Sequence, residues 1–302
     1  MSLIHALVLG ITQGLAEYLP ISSSGHLRLV PWLFGWDDFA GHPDLELAFD
    51  VSLHLGTLAG AVAYFRKDLV RLFRGGLLVL RDRRPASVGA VETAVHPVPE
   101  GTPDPIAGST LADDGRLAWL LLLSAVPAAL IGAVLESTFN ELGKTEWLIG
   151  VFLIIFGLVL LWADGLGGRR GAHTLRLRDA LVLGSAQALA LAPGVSRSGA
   201  TITAARWRGF SRDSAARVSF LMSLPITGGA VAFEMLDLFT GDGIPKGFGG
   251  ALVVGILASA VTGWVAVWGT LHLVRTHTFK PFVVYRVVVG TAVILVVATG
   301  LR

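Results

Sequence analysis

The sequence predicts an all-α polytopic membrane protein with about six transmembrane helices and a pair of re-entrant helix hairpins in an inverted-topology repeat. Composition, long apolar runs and two similar polar segments support this fold class. Of the 302 residues, 53% are hydrophobic and only 15% are charged, and the mean hydropathy is +0.67. Because one soluble core cannot hide that much apolar surface, the bilayer is the expected solvent.

Several apolar stretches are long enough to approach or cross the roughly 30 Å hydrocarbon layer. They lie near 47–65, 117–136, 147–163, 214–238, 249–272 and 282–301. A large soluble α/β protein would need turn signals every few residues inside these runs, and they have none. The first thirty residues lack a basic leader region, and Gln13 and Glu17 interrupt their apolar run, so a cleaved signal peptide is not expected.

The polar insertion from Arg81 to Arg116 (81–116) holds five prolines and no amphipathic period, which predicts a flexible extramembrane loop. The net charge of +2 comes mainly from arginines outside the spans. This positive charge is explained by membrane topology and by contact with lipid headgroups. The sequence shows no basic extramembrane domain of the kind that nucleic-acid binding would need. The absence of cysteine excludes a thiol nucleophile, a disulfide framework and a cysteine-ligated metal.

The connecting segments indicate how the chain crosses the membrane. Basic residues cluster in segments that the positive-inside rule assigns to the cytoplasm, namely 66–84, 169–178, 206–217 and 275–280. Acidic segments with few lysines are assigned to the outside, namely 31–46, 137–146 and 239–248. The two assignments agree only if the segments near 2–30 and 179–208 each return to the side from which they entered. We therefore predict two re-entrant helix pairs.

These two segments also resemble each other. Seven residues of the first recur 174 positions later in the second: Gly10, Gln13, Leu15, Ala16, Ser22, Ser24 and Gly25. Three predicted spans separate the copies, so the second copy must be inverted. We predict a single membrane domain, 1–302, with repeats at 1–163 and 179–302 and a polar site near the midplane where broken helices meet. Chance similarity between two Gly/Ser/Ala-rich stretches is the alternative, and the loop charges argue against it.

The first segment places a carboxylate inside an apolar run. Gln13 and Glu17 are one helical turn apart and share a face. A carboxylate at the centre of a spanning helix costs roughly 3 kcal/mol on insertion scales, which makes it a functional candidate. The alternative is that Glu17 lies at the interface and is merely solvated.

Pro20 is expected to break the first helix, and Ser22 to His26 follow with hydroxyls, free backbone N–H groups and an imidazole. Such a cluster can hold an anion. A serine run alone is more often a loop or a helix cap, and a lone histidine is more often a hydrogen-bonded bystander. Found together at membrane depth, they indicate a functional site.

The second segment, Pro193 to Thr201, combines glycines, which let a ligand approach the backbone, with Arg197, whose fork of donors suits phosphate. The structural alternative for Arg197 is an ion pair with Glu17 across the repeat interface. Asp50 and His54 also lie one turn apart. They could line the mouth of a cavity, assist a metal, or form an interfacial hydrogen-bonded pair.

In these motifs the chain resembles the undecaprenyl-diphosphate phosphatase family, also called the bacitracin-resistance family, and the resemblance extends along nearly its whole length. The resemblance rests on Gln13 to His26 and on Pro193 to Thr201, with further similarity at Phe49 to Thr57 and at Pro281 to Arg286. It implies a plasma-membrane enzyme that removes the terminal phosphate of undecaprenyl diphosphate and recycles the lipid carrier for cell-envelope glycan synthesis. The site would open to the extracytoplasmic side.

The resemblance also implies roles for individual residues. Ser23 is similar to the proposed nucleophile, His26 to the proposed base or alternative nucleophile, Glu17 to the acidic residue linked to metal or base work, and Arg197 to the phosphate anchor. The expected substrate-binding residues are those around them in the two motifs: Gln13, Ser22, Ser24, Gly25, Gly194, Ser196, Ser198, Gly199 and Thr201.

A divalent cation, Mg²⁺ or Ca²⁺, is the expected cofactor, with Glu17 as its candidate ligand. Gln13 stands where many members have glutamate and His54 where many have glutamine, so a metal site on two first-motif carboxylates is not implied here. The expected partners are the lipid diphosphate and membrane lipids, with a homodimer left open and no nucleic acid. A prenyl-phosphate flippase of the same architecture is the alternative function. An ion channel is disfavoured because no ring of like charges is evident.

Overall fold

The computed structural model describes residues 1–81, 110–143, 145–240 and 247–302. Within these residues the chain forms helices, with no strand. A short 3₁₀ helix spans Ala172–Thr174. The eleven α-helices within the described ranges are α1 (Leu3–Tyr18), α2 (Ser23–Phe34), α3 (Pro43–Arg81), α4 (Leu111–Leu123), α5 (Ala125–Gly143), α6 (Glu146–Gly165), α7 (Leu177–Leu189), α8 (Arg197–Trp207), α9 (Arg212–Thr240), α10 (Gly249–Thr276) and α11 (Lys280–Ala298).

The predicted all-α polytopic membrane class is confirmed, because six helical segments in the described chain are long and apolar enough to cross a membrane. The inverted repeat and its bounds stay a prediction. The six segments are Leu45–Arg81, Leu111–Leu135, Glu146–Gly165, Arg212–Glu234, Gly249–Thr276 and Lys280–Ala298. The second of them is interrupted between α4 and α5. Pro127 has no N–H with which to bond the carbonyl of Leu123, where α4 ends.

The predicted loop between Arg81 and Arg116 falls mostly on 82–109, which lies outside the described residues. At its far end the prediction is wrong, because α4 already begins at Leu111. Thr110 and Asp113 form a reciprocal capping box, in which each side chain accepts a hydrogen bond from the other's backbone N–H. This cap starts the helix in a polar segment that hydropathy alone assigns to the loop.

The two predicted helix pairs are present as α1 with α2 and as α7 with α8. Their helices have 16, 12, 13 and 11 residues, so none reaches the length of a span. That each pair enters the membrane and returns to the same side stays a prediction.

Packing fixes the first pair within the bundle. Helix α1 lies closely against α10, which in turn packs on α3, while α6 packs on α11. Small residues permit the approach: a Cβ on Gly10 would lie 2.6 Å from the carbonyl oxygen of Gly255. The broken end of α1 is therefore held at a set position beside α8.

Candidate active site

The two helix breaks, 19–22 between α1 and α2 and 190–196 between α7 and α8, each contain a serine with unusual backbone geometry. Ser22 has φ 82° and Ser196 has φ 74°, and they are the only non-glycine residues with positive φ in the described chain. Each caps the helix that follows, because Ser22 Oγ accepts from the N–H of Gly25 and Ser196 Oγ accepts from that of Gly199. A strained backbone conformation of this kind persists only where the surrounding structure holds it in place. Such conformations are concentrated at functional sites.

The two breaks touch each other directly. The N–H of Gly194 donates to Ser22 Oγ at 3.1 Å, and Ser198 Oγ donates to the carbonyl of Leu19 at 3.1 Å. Gly194 has φ 97°, a conformation in which a side chain would be strained. The motif residues that lie far apart in sequence are thus joined at one place.

Arg286 of α11 holds both breaks together. Its side chain is fully buried. Its guanidinium donates to the carbonyls of Pro20 at 3.1 Å and of Gly194 and Val195 at 3.0 Å. Further bonds from the guanidinium reach Leu153 and Phe152 of α6. Sequence reasoning did not assign Arg286 a role, although a charged residue inside an apolar span is a recognisable signal.

Glu17, at the end of α1, is the centre of the polar cluster. Ser23 Oγ donates to Glu17 Oε2 at 2.6 Å, and Arg197 Nη2 donates to Glu17 Oε1 at 2.9 Å. Gln13 Nε2 donates to Oε2 at 3.0 Å, and His54 Nε2 lies 3.7 Å from the same oxygen. Glu17 is only 5% exposed, so these contacts replace the water that would otherwise solvate its charge.

A cavity of about 330 Å³ adjoins this cluster. Apolar side chains, several of them from α9, form much of its wall. The predicted site residues that line it are Glu17, Ser23, Ser24, Ser196 and Arg197. The remaining polar side chains of the lining are His54, Gln187, Thr227 and Glu234. No role is predicted for Gln187 or Glu234 from the sequence. Gln187 nevertheless repeats Gln13, so the repeat is the signal that could have identified it.

His26 is not among the residues that line the cavity. Its Nδ1 is 2.7 Å from the carbonyl of Ser22, which can only accept, so Nδ1 carries the proton. Its Nε2 is 2.8 Å from the hydroxyl of Tyr285, and the two rings stack. No hydrogen bond in the described structure joins His26 to Ser23, whose hydroxyl donates to Glu17 instead.

The other predicted binding residues have contacts within the protein. Thr201 is fully buried and bonds the Ser219 hydroxyl at 2.6 Å. A Cβ at Gly199 would lie 2.9 Å from Arg286 Nη1, so this glycine admits the guanidinium. A second group, Gln13, Ser22, Gly25, Gly194 and Ser198, also lies outside the cavity lining. Substrate contact by any of these residues stays a prediction.

His54 lines the cavity, which is one of the roles predicted for it from the sequence. Its Nδ1 is 2.8 Å from the backbone carbonyl of Asp50, which orients Nε2 towards Glu17. No group of three or more His, Cys, Asp or Glu side chains in the described parts of the chain could hold a metal. The carboxylates that face the cavity are Glu17 and Glu234.

Comparison with known proteins finds relatives along almost the whole chain. A family model described as bacitracin resistance protein BacA matches residues 6–292. The chain is 46% identical over 303 aligned residues to the undecaprenyl-diphosphatase of Pelobacter propionicus, covering 100% of this chain and 99% of that protein.

Two further undecaprenyl-diphosphatases are similar along almost their whole length. That of Geobacter sulfurreducens is 44% identical, with 97% of this chain and 98% of that protein covered. That of Nocardioides sp. is 40% identical, with 98% and 97% covered. The match extends through both helix breaks and the spans that hold them, and the chain belongs to the bacitracin resistance protein BacA family.

Proposed function

We propose that this protein hydrolyses undecaprenyl diphosphate to the monophosphate and phosphate, and so recycles the lipid carrier for cell-envelope glycan synthesis. The observation that supports it best is the contact of Glu17 with both Ser23 and Arg197 at the wall of one cavity. These residues supply a nucleophile, a base and a phosphate-binding cation. The related proteins named undecaprenyl-diphosphatase supply the substrate.

In the first step, Ser23 attacks the terminal phosphorus. A bond forms between Ser23 Oγ and phosphorus, the anhydride bond breaks, and prenyl monophosphate leaves. The 2.6 Å contact directs the hydroxyl proton to Glu17 Oε2, so Glu17 is the base in this scheme. His26 then has a positioning role, because both its ring nitrogens are engaged by Ser22 and Tyr285.

In the second step, water attacks the phosphoserine. Glu17 has by then released its first proton to solvent. It takes a proton from the attacking water and returns one to Ser23 Oγ as the bond between Oγ and phosphorus breaks. Inorganic phosphate leaves, and the enzyme is restored with all atoms balanced.

Arg197 neutralises the substrate. In the structure its Nη2 is bonded to Glu17, while its Nη1 is buried without a partner. Phosphate oxygens offer acceptors that match the guanidinium fork, and they would engage the unpaired donor. Charge stabilisation and positioning are the main requirements of phosphoryl transfer.

A divalent cation would be held by the carboxylates of the cavity wall together with oxygens of the substrate. Mg²⁺ usually takes one or two carboxylates together with substrate phosphate oxygens and water, and Ca²⁺ also binds oxygen ligands. The cavity offers Glu17 and Glu234 for this purpose. When bound, the cation would neutralise charge on the diphosphate.

We also propose that the cavity opens to the extracytoplasmic side of the membrane. Glu234 lies 22 residues beyond the basic start of α9 at Arg212, about 33 Å along a helix. The ion pair of Arg275 with Asp213 brings the basic end of α10 to this basic start of α9. The positive-inside rule assigns those basic ends to the cytoplasm.

Phosphate release from a prenyl diphosphate by purified protein in detergent, with Mg²⁺ or Ca²⁺, tests the proposal. Ser23→Ala and Glu17→Gln should each lower kcat by about a thousandfold or more. Arg197→Ala should also lower kcat/KM, because it removes the phosphate anchor. Ser185→Ala, a change on the exposed face of α7, is the control.

Terminal-phosphate-labelled substrate separates the functions further. Wild-type protein should acquire an acid-stable phosphoserine that Ser23→Ala lacks. A folded wild-type protein that releases no phosphate with either cation would contradict hydrolysis. A flippase needs an anchor such as Arg197 but no nucleophile, so the contact of Ser23 with Glu17 supports hydrolysis over transport.

A further inference from the structure

Gln187 of α7 has a buried side chain whose polar atoms are both unpaired. It is 3% exposed and belongs to the wall of the catalytic cavity. Neither its Nε2 nor its Oε1 has a hydrogen-bond partner. Buried amides in native proteins are almost always bonded to protein or to ordered water, so an unpaired one requires an explanation.

The corresponding residue of the first segment shows what is missing. Gln13 lies 174 positions earlier and donates from Nε2 to Glu17, which is one helical turn further on. One turn after Gln187 the chain has Leu191, which cannot accept a hydrogen bond. The second segment therefore keeps the glutamine but lacks the carboxylate that would hold its amide.

A second unpaired donor belongs to the same cavity wall. Arg197 Nη1 is buried without a partner, although Nη2 of the same guanidinium is bonded to Glu17. One anion with several oxygens could accept from both the guanidinium and the amide. A phosphate group has this form, whereas a chloride ion or the apolar tail does not.

We propose that Gln187 contacts the substrate, with its amide N–H donating to a non-bridging oxygen of the terminal phosphate and its carbonyl accepting from the water that enters the site. The identity of the ligand rests on the proposed function. The unpaired amide is the observation from which the role of Gln187 is inferred.

The geometry also distinguishes this role from a packing role. A glutamine kept for structure would have its amide bonded within the protein, as the amide of Gln13 is to Glu17 of the same helix. Replacing an unpaired buried amide with an apolar side chain of similar size removes a desolvation cost and leaves no partner unsatisfied. Such a change should therefore spare stability while it weakens ligand binding.

Gln187→Leu and Gln187→Met are the test variants, and Ser185→Ala on the exposed face of the same helix is the matched control. Binding of a non-hydrolysable prenyl methylenediphosphonate is measured by titration in detergent, together with the melting temperature without ligand. KM and kcat are measured separately with prenyl diphosphate. Because the analogue cannot be hydrolysed, its binding reports on Gln187 whether or not the protein is a phosphatase.

We expect both Gln187 variants to melt at or above the wild-type temperature and to bind the analogue about tenfold to a hundredfold more weakly. KM should rise by a similar factor, while Ser185→Ala binds as the wild type does. Wild-type affinity in the apolar variants would overturn the proposal, as would a fall in melting temperature in both variants. Gln187-dependent binding without phosphate release would support this inference and contradict hydrolysis.

Discussion

Ser23 and Arg197 occupy corresponding positions 174 residues apart, and each donates to a different oxygen of Glu17. Each is the first residue of the second helix of its pair, directly after a serine with positive φ. The same backbone device therefore presents a hydroxyl from one segment and a guanidinium from the other. One carboxylate joins them.

Two roles were considered for Arg197, phosphate binding and an ion pair with Glu17, and this arrangement is compatible with both. The ion pair with Glu17 is present, as the structural alternative expected. Arg197 also lines the cavity and retains a free donor, as phosphate binding requires. In the proposed reaction a phosphate shares the guanidinium with Glu17, and no large movement of Arg197 is needed.

The position of His26 predicts that it supports the site without forming a covalent intermediate. His26→Gln should retain an acid-stable phosphoenzyme that Ser23→Ala lacks, because Ser23 contacts Glu17 and not the imidazole. Tyr285→Phe, which removes the donor to His26 Nε2, should lower kcat/KM by about tenfold. Labelling with terminal-phosphate-labelled substrate is the measurement. An acid-labile phosphoenzyme that disappears in folded His26→Gln would show instead that the imidazole is the nucleophile.

Hydropathy predicted the spans well but not where their helices end. The span near 47–65 continues as helix to Arg81, because Leu69 and Leu72 keep the apolar face packed after basic residues begin. An averaged hydropathy falls where those charged residues occur, although one face of the helix remains apolar. The break within the second span depends on Pro127, which an apolar average does not register.

The motifs predicted which residues would meet, namely Glu17, Ser23 and Arg197, because each is costly or reactive inside a membrane segment. They could not predict the supports. Tyr285 is 259 positions from His26 in sequence, and the pairing depends on how α11 packs. Long-range contacts of this kind follow from the packed bundle and have no local pattern in the chain.

Arg286 should be irreplaceable even by lysine. Its guanidinium donates to carbonyls of both breaks, and an ammonium with three donors on a flexible stem cannot reproduce that fork. We expect Arg286→Lys to lower the free energy of unfolding by about 3 kcal/mol, because buried carbonyls lose their partners. Arg66→Lys, an exposed arginine that bonds one carbonyl, is the control and should change little. Equal melting of Arg286→Lys and wild type in detergent would refute this role.

We expect Asp179 to make a contribution to stability that depends on pH. Burial alone would raise the pKa of this carboxyl, but hydrogen bonds from Arg170 and Arg208 more than offset it and hold the pKa below its usual value. A lowered folded-state pKa means that the stabilisation is present above about pH 4 and is lost as the pH falls through the folded-state pKa.

We therefore expect Asp179→Asn to lower the free energy of unfolding at pH 7 by about 3 kcal/mol, towards the low end for a broken buried pair because both arginines are partly exposed. The difference from wild type should shrink below about pH 4. Unfolding in detergent is measured from pH 3 to 7, with exposed Asp37→Asn as the control. A difference that stays constant across this range would contradict the assigned cause.

We expect the position of α1 to depend on close backbone packing at Gly14. A Cβ at Gly14 would overlap the hydroxyl of Thr262 and lie 2.7 Å from the carbonyl oxygen of Ser259, so Gly14→Ala must push α1 away from α10. We expect a loss of about 2 kcal/mol in the free energy of unfolding. Phosphate release should fall as well, because Glu17 lies one turn further along α1. Gly269→Ala is the matched control, since a Cβ there meets nothing within 4 Å and alanine favours helix by up to about 1 kcal/mol. If both variants unfold alike, the spacing of α1 and α10 is not set by Gly14.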